Sequence, residues 1–386
     1  MGIELPARGF VFWPVGCGDS TTVKVNDNVF MQVDIHHLGL ADDDDEPYNA
    51  VVDSLMNVLP EVDGAKYLAV FALSHADEDH CKGFKLLQEK VNGGDLRIGE
   101  LWFTPRVIRD HEEEADLCDD AAAFVEEALR RVAVVCSSGE NTSSGDRVRV
   151  IGSDDILDED RYKDLPDRFK SRPGDEVTVL DGVHFDGEFR AFLHSPFGDD
   201  SAGERNATSL GMQITLREGD TEGRVMLLGD LDYPRLKRIF IEFSDEPDKA
   251  WDVLLAPHHC SKSALFVKNE NDVYVLQDDI VEALTKTGGD IGWIVASANP
   301  IPARNAEGDN PPHAIAKQQY EAIAPSGFLC TGEHPDENSD DPIVFSVDTD
   351  GISLVGGGTE GASLAAAAVT KARGGAAPHG QKVGFG

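Results

Sequence analysis

Side chains of the kinds that bind metal ions are concentrated in the segment LSHADEDHCKGF, residues 73–84. His75 and Asp77 stand two residues apart, and Asp79 and His80 follow at once. Neutral imidazoles and carboxylates are the usual protein ligands of zinc, manganese and iron. Two such pairs could hold two ions close together, which is a layout that activates a water molecule. Taken alone, the segment could also be an acidic loop with two incidental histidines.

Two later segments carry ligand types in the same position after an apolar run. MLLGDLD places Asp230 there, and VLLAPHHCSKS places His258 and His259 there. Each segment reads as a buried strand followed by a turn, with polar residues at the strand end. Three strand ends with one shared pattern favour a common site over an incidental acidic loop.

The elements that must position these residues alternate between strand and helix. Strand-like segments include GFVFWPVG, YLAVFALS and WDVLLAP, and STTVKV-NDN-VFMQVDI reads as a hairpin. Helical spacing or composition marks YNAVVDSLMNVLPEV, KGFKLLQEKV, EEEADLCDDAAAFVEEALRRVAVV and YPRLKRIFIEF. Arg130 and Arg131 are predicted to close the third of these helices. Two strand-rich halves separated by helices predict an α/β protein with a four-layered αββα sandwich.

The composition predicts one large globular domain. The chain has 386 residues, of which 41% are hydrophobic, enough for a large core. We assign residues 8–358 to this domain and expect the Gly/Ala-rich residues 359–386 to form a flexible tail. The sequence shows neither a signal-peptide pattern nor an apolar run of about 18 residues, so no membrane association is expected. Six cysteines without a CxxC pair read as free thiols, which favours the cytoplasm.

The charge balance bears on the class of partner. Lys and Arg number 34 against 71 Asp and Glu, a net charge of −37. Such a surface repels polyanions at long range, and nucleic-acid readers usually show a basic patch. The densest basic segment is DRFKSR, residues 167–172, and it is weak. A small anionic or phosphoester substrate is therefore favoured over long nucleic acid, and the sequence leaves protein partners open.

These motifs, taken in order, resemble those of the metallo-β-lactamase-fold hydrolases, whose signature is H-x-[HD]-x-D-H. The resemblance is closest to the ComEC-like branch, the hydrolase domain of competence proteins. It rests on VGCGDSTTV, LSHADEDHCKG, NATSL, LLGD and HHCSKSA, and more loosely on NPPHAIAKQQY. The motifs are collinear from about residue 9 to about residue 350. The resemblance implies the αββα fold and a site for two divalent metal ions, zinc or manganese.

The resemblance also implies a role for each candidate residue. The implied ligands are His75 and Asp77 for a first ion, Asp79 and His80 for a second, Asp230 as a bridge, and His258 or His259 on the second ion, with His258 favoured. Asp79 and His259 are predicted to take part in catalysis. Asp34, at a strand end, is expected to orient a ligand from behind.

The first ion would need one more ligand from the middle of the chain. His194, in FLHSPF, lies at a strand end in the right interval. A lone histidine there could equally pack in the core or cap an element. Asp77 stands where many relatives have His, and this harder ligand tilts the prediction toward manganese or iron.

Three cysteines lie beside the site motifs: Cys17, Cys81 and Cys260. They read as small buried fillers, with a redox-sensitive site as the alternative.

The predicted function is hydrolysis by a metal-activated water, with a small phosphodiester, a nucleotide or a short nucleic acid as the favoured substrate. Hydrolysis of a lactone, a thioester or a β-lactam is the first alternative. A non-catalytic binding or effector protein with a degenerate metal site is the second. One fold hosts many chemistries, so the motifs leave the substrate and the metal open.

Overall fold

The computed structural model describes residues 4–43, 46–113, 117–198, 200, 205–243, 245–289, 291–305 and 310–356. The predicted tail, residues 359–386, and the predicted domain end at residue 358 lie outside these ranges, so both stay predictions. Among the helices described, none has the length and apolar character needed to cross a membrane.

The first sheet holds ten strands and contains most of the first half of the chain. Its strand order is β21-β20-β1-β2-β3-β5-β6-β7-β8, with β4 paired to β5. Strands β3, β5, β6, β7 and β8 run parallel, and the other pairings are antiparallel. The strands are β1 Gly9–Phe12, β2 Thr21–Asn26, β3 Val29–Val33, β4 Glu61–Val62, β5 Ala65–Ala72, β6 Leu96–Phe103, β7 Arg147–Ile151, β8 Lys170–Ser171, β20 Ile343–Asp348 and β21 Gly351–Leu354.

The second sheet holds seven strands in the order β19-β18-β15-β14-β13-β12-β9. Strands β14, β15, β18 and β19 run parallel. The strands are β9 Glu176–Val177, β12 Phe189–Leu193, β13 Met212–Glu218, β14 Thr221–Leu227, β15 Val253–Leu255, β18 Trp293–Ala296 and β19 Gly327–Cys330. Two separate hairpins are formed by β10 Val179–Leu180 with β11 Val183–His184, and by β16 Phe266–Lys268 with β17 Tyr274–Leu276.

Helices cover the outer face of each sheet. Those on the first sheet are Val51–Val58, Phe84–Gly93, Pro105–Glu113 and Asp119–Ser138, and those on the second are Tyr233–Lys237, Asp278–Thr287 and Ala314–Ile323. Shorter helices are Glu78–Cys81, Asp154–Leu157 and Glu246–Lys249.

Three apolar layers separate four layers of secondary structure. One lies between the first sheet and its helices and includes Phe71 and Phe124. A second lies between the two sheets, where Phe10 and Ile214 are buried. A third lies between the second sheet and its helices and includes Leu284. This order of layers confirms the predicted four-layered αββα sandwich.

The long helix Asp119–Ser138 differs from its prediction at both ends. Residues 114–116 are not described, and Glu113 ends a separate helix. The helix also continues beyond Arg131, which the sequence placed at its end. Arg131 is buried, pairs with Glu127 at 2.7 Å and donates to the carbonyl oxygens of Ile98 and Gly99 in β6. It therefore fastens the helix to the sheet, a contact between distant segments that a local pattern does not show.

Four parallel strands point their carboxyl ends at one edge of the two sheets. Beyond β3 lies Asp34, beyond β5 lies the segment that starts at Ser74, beyond β14 lies Asp230, and beyond β15 lies His258. In α/β proteins, ligands bind outside the carboxyl ends of parallel strands. The segments that the sequence singled out are therefore brought to one place by the fold.

Phe124→Ala should destabilise the fold strongly, because Phe124 is fully buried and its ring centroid lies 4.9 Å from Phe84 and 6.0 Å from Phe71. We expect a loss of about 3–5 kcal/mol in the free energy of unfolding by urea. The control is Phe243→Ala, which removes a ring that is 66% exposed and should cost less than about 0.5 kcal/mol. Equal effects of the two changes would contradict the layer assignment.

Candidate metal centre

Four atoms form what we call the first donor set. They are His75 Nε2, Asp77 Oδ2, His258 Nε2 and Asp230 Oδ2. His75 Nε2 lies 3.5 Å from Asp77 Oδ2 and 3.8 Å from Asp230 Oδ2. His258 Nε2 lies 3.4 Å from the same Asp230 oxygen. The set thus joins the loop after β5 to the ends of β14 and β15.

Four other atoms form the second donor set. They are His80 Nε2, His259 Nε2, Asp79 Oδ2 and Asp230 Oδ1. His80 Nε2 lies 3.1 Å from Asp230 Oδ1 and 3.2 Å from His259 Nε2. His259 Nε2 lies 3.2 Å from Asp79 Oδ2 and 3.6 Å from Asp230 Oδ1. Asp230 therefore gives one carboxylate oxygen to each set.

The spacing of the donor atoms fits metal ligation. Ligands on a tetrahedron with bonds of about 2.0–2.2 Å lie about 3.3–3.6 Å apart, and the contact distances given above run from 3.1 to 3.8 Å. His75 Nε2 and Asp230 Oδ1 are buried and have no hydrogen-bond partner. An unsatisfied buried polar atom costs about 1–3 kcal/mol, and a bound cation would remove that cost at both atoms. The residues therefore fit two metal ions.

The outer ring nitrogen of every donor histidine faces a fixed partner. His80 Nδ1 forms a hydrogen bond with Asp34 Oδ2 at 2.8 Å. His259 Nδ1 lies 3.3 Å from Asp19 Oδ1, an ion-pair contact without hydrogen-bond geometry. The partners of the other two rings are Ser74 at 3.0 Å and Ser209 at 3.3 Å from His75 Nδ1, and Ser263 at 3.4 Å from His258 Nδ1. Such partners hold a ring in place with Nε2 free to ligate, and Asp34 has the orienting position expected from the sequence.

Asp19 is close enough to His80 and His259 to form a ligand group of its own. Its oxygens, however, face the Nδ1 atoms, at 3.3 Å in His259 and 4.0 Å in His80. The Nε2 atoms of the same rings converge on Asp230. We therefore place Asp19 behind the histidines, where it orients them. The backbone supports this position, because the amide of Asp19 donates to the carbonyl oxygen of Asp79 at 3.0 Å.

The protonation states follow from burial and from the crowding of opposite charges. Burial alone would lower the pKa of His80, but the carboxylates of Asp230 and Asp34 hold it well above its usual value. Burial would raise the pKa of Asp230, yet His80 and His259 keep it well below its usual range. Asp79 is likewise held low by His259, against the effect of burial. The carboxylates of the site are thus ionised and ready to ligate.

The segment NATSL, part of the sequence resemblance, also reaches the site. Asn206 Nδ2 lies 3.4 Å from Asp230 Oδ2. The Ser209 hydroxyl accepts from the Asp230 amide at 3.4 Å. Next to this segment, the Arg205 guanidinium pairs with Asp77 Oδ1 at 2.8 Å, so that Oδ2 of Asp77 is left facing His75. The segment holds two of the donor carboxylates in position.

A left-handed turn separates His258 from His259. His258, His259 and Cys260 have φ angles of 52°, 52° and 65°. Because successive residues of such a turn point in different directions, the two rings stand at 84° to each other, with centroids 6.0 Å apart. Each ring can therefore enter a different donor set. The amide of His258 donates to the Gly229 carbonyl oxygen at 3.0 Å, which ties the turn to the residue before Asp230.

The structure distributes the histidines differently from the sequence prediction. His258 was favoured for the second ion, but it lies in the first donor set, and His259 lies in the second. His194, the candidate for the first ion, is in neither set. Its Nε2 lies 3.0 Å from the carbonyl oxygen of Asp248 and, since a carbonyl only accepts, this nitrogen carries the proton. Burial lowers the pKa of His194 to about 4.

The three cysteines beside the motifs occupy closed positions. Cys81 and Cys260 are buried, and Cys17 is half-buried near Asn299. Cys81 Sγ lies 3.5 Å from Cys118 Sγ. Burial raises the pKa of the Cys260 thiol, so this thiol is a poor nucleophile. These positions agree with small fillers.

Sequence reasoning missed four residues that support the site: Asp19, Ser74, Arg205 and Ser263. Asp19 stands in VGCGDS, a segment already quoted for the resemblance, and an acid after two glycines was the available signal. Arg205 directly precedes Asn206 and was open to the same reasoning. Ser74 directly precedes His75, whereas Ser263 lies four residues beyond His259, and neither serine carries a further signal.

Similarity to known proteins was found among solved structures. No protein-family model matches the chain, and no curated protein matches it. Among solved structures, the chain is similar to the metallo-β-lactamase fold protein YhfI from Bacillus subtilis, with 13% identity, 83% of this chain and 95% of that chain covered, and a TM-score of 0.39. It is also similar to a diphosphatase from the PhnP family, with 9% identity, 86% and 84% covered, and a TM-score of 0.34.

A third similar structure is BJP-1, a subclass B3 metallo-β-lactamase of Bradyrhizobium japonicum. The identity is 12%, 58% of this chain and 61% of that chain are covered, and the TM-score is 0.27. None of these likenesses assigns an activity to this chain. The ComEC-like branch stays a prediction.

His258→Ala and His194→Ala should affect metal content differently. His258→Ala removes one atom of the first donor set, so we expect the metal bound per chain to fall from about two ions to about one. His194→Ala should leave metal content unchanged, because its ring bonds to a backbone carbonyl. Elemental analysis after metal-replete purification checks both. The reverse pattern would restore His194 as the missing ligand.

Gly18→Ala should disturb the second donor set from behind. A Cβ at Gly18 would overlap the ring of His36 and lie 2.7 Å from the carbonyl oxygen of Asp79, so Asp79 would have to shift. We expect metal affinity to fall at least tenfold in a chelator competition. Gly39→Ala is the control, because a Cβ there meets no atom within 4 Å. Unchanged affinity in Gly18→Ala would show that Asp79 does not depend on this contact.

Proposed function

We propose that the chain is a metal-dependent hydrolase with two divalent ions, and that its substrate is a phosphodiester. The observation that carries the proposal is the pair of four-atom donor sets that share the Asp230 carboxylate. When bound, two such ions supply a deprotonated water as nucleophile and stabilise charge on the group under attack. Zinc and manganese both suit imidazole and carboxylate ligands.

The burial of the donors defines the side from which a substrate approaches. The side chains of His75, His80, Asp230 and His259 are at most 3% exposed, whereas His258, Asp77 and Asp79 are 26%, 29% and 36% exposed. The open face of the centre therefore lies along these last three residues. Arg205, 28% exposed, stands on this face beside Asp77 and can contact an anionic oxygen of the substrate.

The geometry supports ligation rather than proton transfer by the two residues predicted to be catalytic. Asp79 holds its negative charge firmly, because its pKa is lowered by His259, and such a group accepts a proton poorly. His259 is buried, with both ring nitrogens committed to carboxylates. We therefore propose that both residues hold the second ion and that neither acts as a general base.

The charge of the centre supports a small anionic substrate. Asp19, Asp34, Asp77, Asp79 and Asp230 contribute −5, Arg205 contributes +1, and two divalent ions would contribute +4, a sum of zero. Asp19 and Asp34 lie behind the rings, so a phosphoryl oxygen on the open face would meet the cations first. The net charge of the chain is −37, so a long polyanion that must lie across the surrounding surface is still repelled.

The test compares a chromogenic phosphodiester, a short oligonucleotide and a plasmid, each at two salt concentrations with manganese present. We expect the two small substrates to be cleaved faster than the plasmid. Higher salt should narrow the difference, because surface charges are screened beyond about 8 Å at physiological ionic strength. Asp79→Asn, checked for folding by circular dichroism, should lose turnover of all three.

Two outcomes would change the proposal. Efficient plasmid cutting at low salt would contradict the charge argument and favour a nuclease. Inertness toward all three substrates in a protein with two bound ions, together with hydrolysis of a lactone, a thioester or a β-lactam, would replace the phosphodiester with that substrate. No metal uptake at all would favour a non-catalytic binding protein.

A further inference from the structure

A cavity of about 250 Å³ lies at the edge of the two sheets, under the β10–β11 hairpin. Three arginines line it: Arg147 and Arg149 of β7, and Arg168 of the segment DRFKSR. None of the residues that line it belongs to either donor set or holds a donor histidine from behind. Basic side chains are outnumbered two to one in this chain, so the convergence of three guanidinium groups is not what the composition leads one to expect.

Two of the arginines are matched by carboxylates. Arg147 Nη1 donates to Asp181 Oδ1 at 2.6 Å, and the remaining oxygen of Asp181 accepts from Tyr67 at 2.7 Å. Arg168 Nε pairs with Glu140 at 2.7 Å. These contacts orient both guanidinium groups and offset their charge. Arg147 and Arg168 therefore line the cavity in defined positions.

Arg149 is different, because its ion pair with Glu100 leaves one of its N–H donors without a hydrogen bond. Its side chain is 8% exposed and lies over the Trp102 ring at 5.3 Å. Nη1 donates to Ser171 Oγ at 3.0 Å, whereas Nε is buried without a hydrogen-bond partner. The nearest carboxylate oxygen, Glu100 Oε1, is 3.6 Å from Nε, which is beyond hydrogen-bond distance. The other oxygen of Glu100 accepts from the Asp181 amide at 2.9 Å.

Glu100 also lines the cavity and forms an ion pair with Arg149, but Arg149 Nε still donates no hydrogen bond. A buried donor without an acceptor is costly, and a carboxylate or phosphate ligand would satisfy it. The rest of the lining is apolar in part, with Phe169 and Val177 buried. The cavity volume of about 250 Å³ is just below the roughly 300–1,000 Å³ of known ligand pockets, so it limits the ligand to a small molecule. Glu176 and His184, both exposed, also line the cavity.

We propose that this arginine-lined cavity binds a small organic oxyanion, with the carboxylate or phosphate group on Arg149 and the apolar body against Phe169 and Val177. The site is separate from the metal centre, because the two share no residue. The proposal stands whether or not the chain is a phosphodiesterase.

The experiment uses calorimetric titration with phenyl phosphate, benzoate and phenol as probes. We expect at least one of the two anions to bind, and phenol to bind at least tenfold more weakly. Binding of phenyl phosphate alone or of benzoate alone supports the proposal and identifies the oxyanion. Asp230→Asn, which removes the shared carboxylate of the metal centre, should leave the affinity unchanged.

Arg149→Met should weaken binding at least tenfold, and Arg149→Lys should weaken it less, because it keeps the charge but not the paired donors. Turnover at the metal centre should stay within about twofold of the unaltered chain in both. If Arg149→Met does not fold by circular dichroism, Arg168→Gln, whose side chain is 40% exposed, takes its place, with an expected loss of at least threefold.

Three results would overturn the proposal. The first is that neither anion binds at concentrations up to about 10 mM, since a specific site should bind more tightly than this. The second is binding that Asp230→Asn abolishes and Arg149→Met retains, which would place the anion at the metal centre. The third is phenol binding as tightly as the anions, which would make the cavity a purely apolar one.

Discussion

The buried carboxylate of Asp230 is the contact on which the rest of the site depends. One of its oxygens faces His75 and His258, and the other faces His80 and His259. A negative charge with almost no exposure is stable only beside positive charge, and here it is surrounded by imidazoles. Its position also decides where those imidazoles can converge. The donor sets are therefore two halves of one arrangement and not two neighbouring sites.

The donor residues around Asp230 come from both sheets, so their arrangement depends on how the sheets pack. The first sheet delivers its donors through the loop after β5, and the second delivers them beyond β14 and β15. The apolar layer between the sheets fixes the distance between these loops to the precision of close packing. Hydrogen bonds then set the fine geometry: Asp34 and Ser74 join the ends of β3 and β5 at 2.6 Å, and Asp34 holds the His80 ring from there. Secondary structure brings the donors near one another, and the outer partners aim them.

The sequence predicted what depends on local pattern. Seven residues were proposed as metal ligands from the sequence, and six of them lie in the donor sets. These six could be singled out because a strand end and the residues that follow it are local features of the sequence. His194 ends a strand too, but the partner of its ring is the Asp248 carbonyl, supplied by a distant segment. His258 and His259 enter different donor sets because three successive residues have positive φ angles. A glycine at position 260 would have indicated a left-handed turn, but the sequence has Cys260 there. The arginine-lined cavity joins β7 to a later hairpin, so no stretch of sequence contains it.

The left-handed turn at His258, His259 and Cys260 affects the local dynamics of the metal-free protein. Three consecutive residues with side chains adopt a conformation that costs roughly 1–2 kcal/mol each, and a single such residue is usually the limit outside glycine. Ligation by both rings can offset that cost, whereas the metal-free chain lacks this compensation. Backbone strain lowers the free energy that a segment needs to open locally, and amide exchange reports such opening. The turn is thus the segment whose amide hydrogens should exchange with solvent early in the metal-free state and late in the metal-bound state, making it a natural reporter of occupancy for the whole centre.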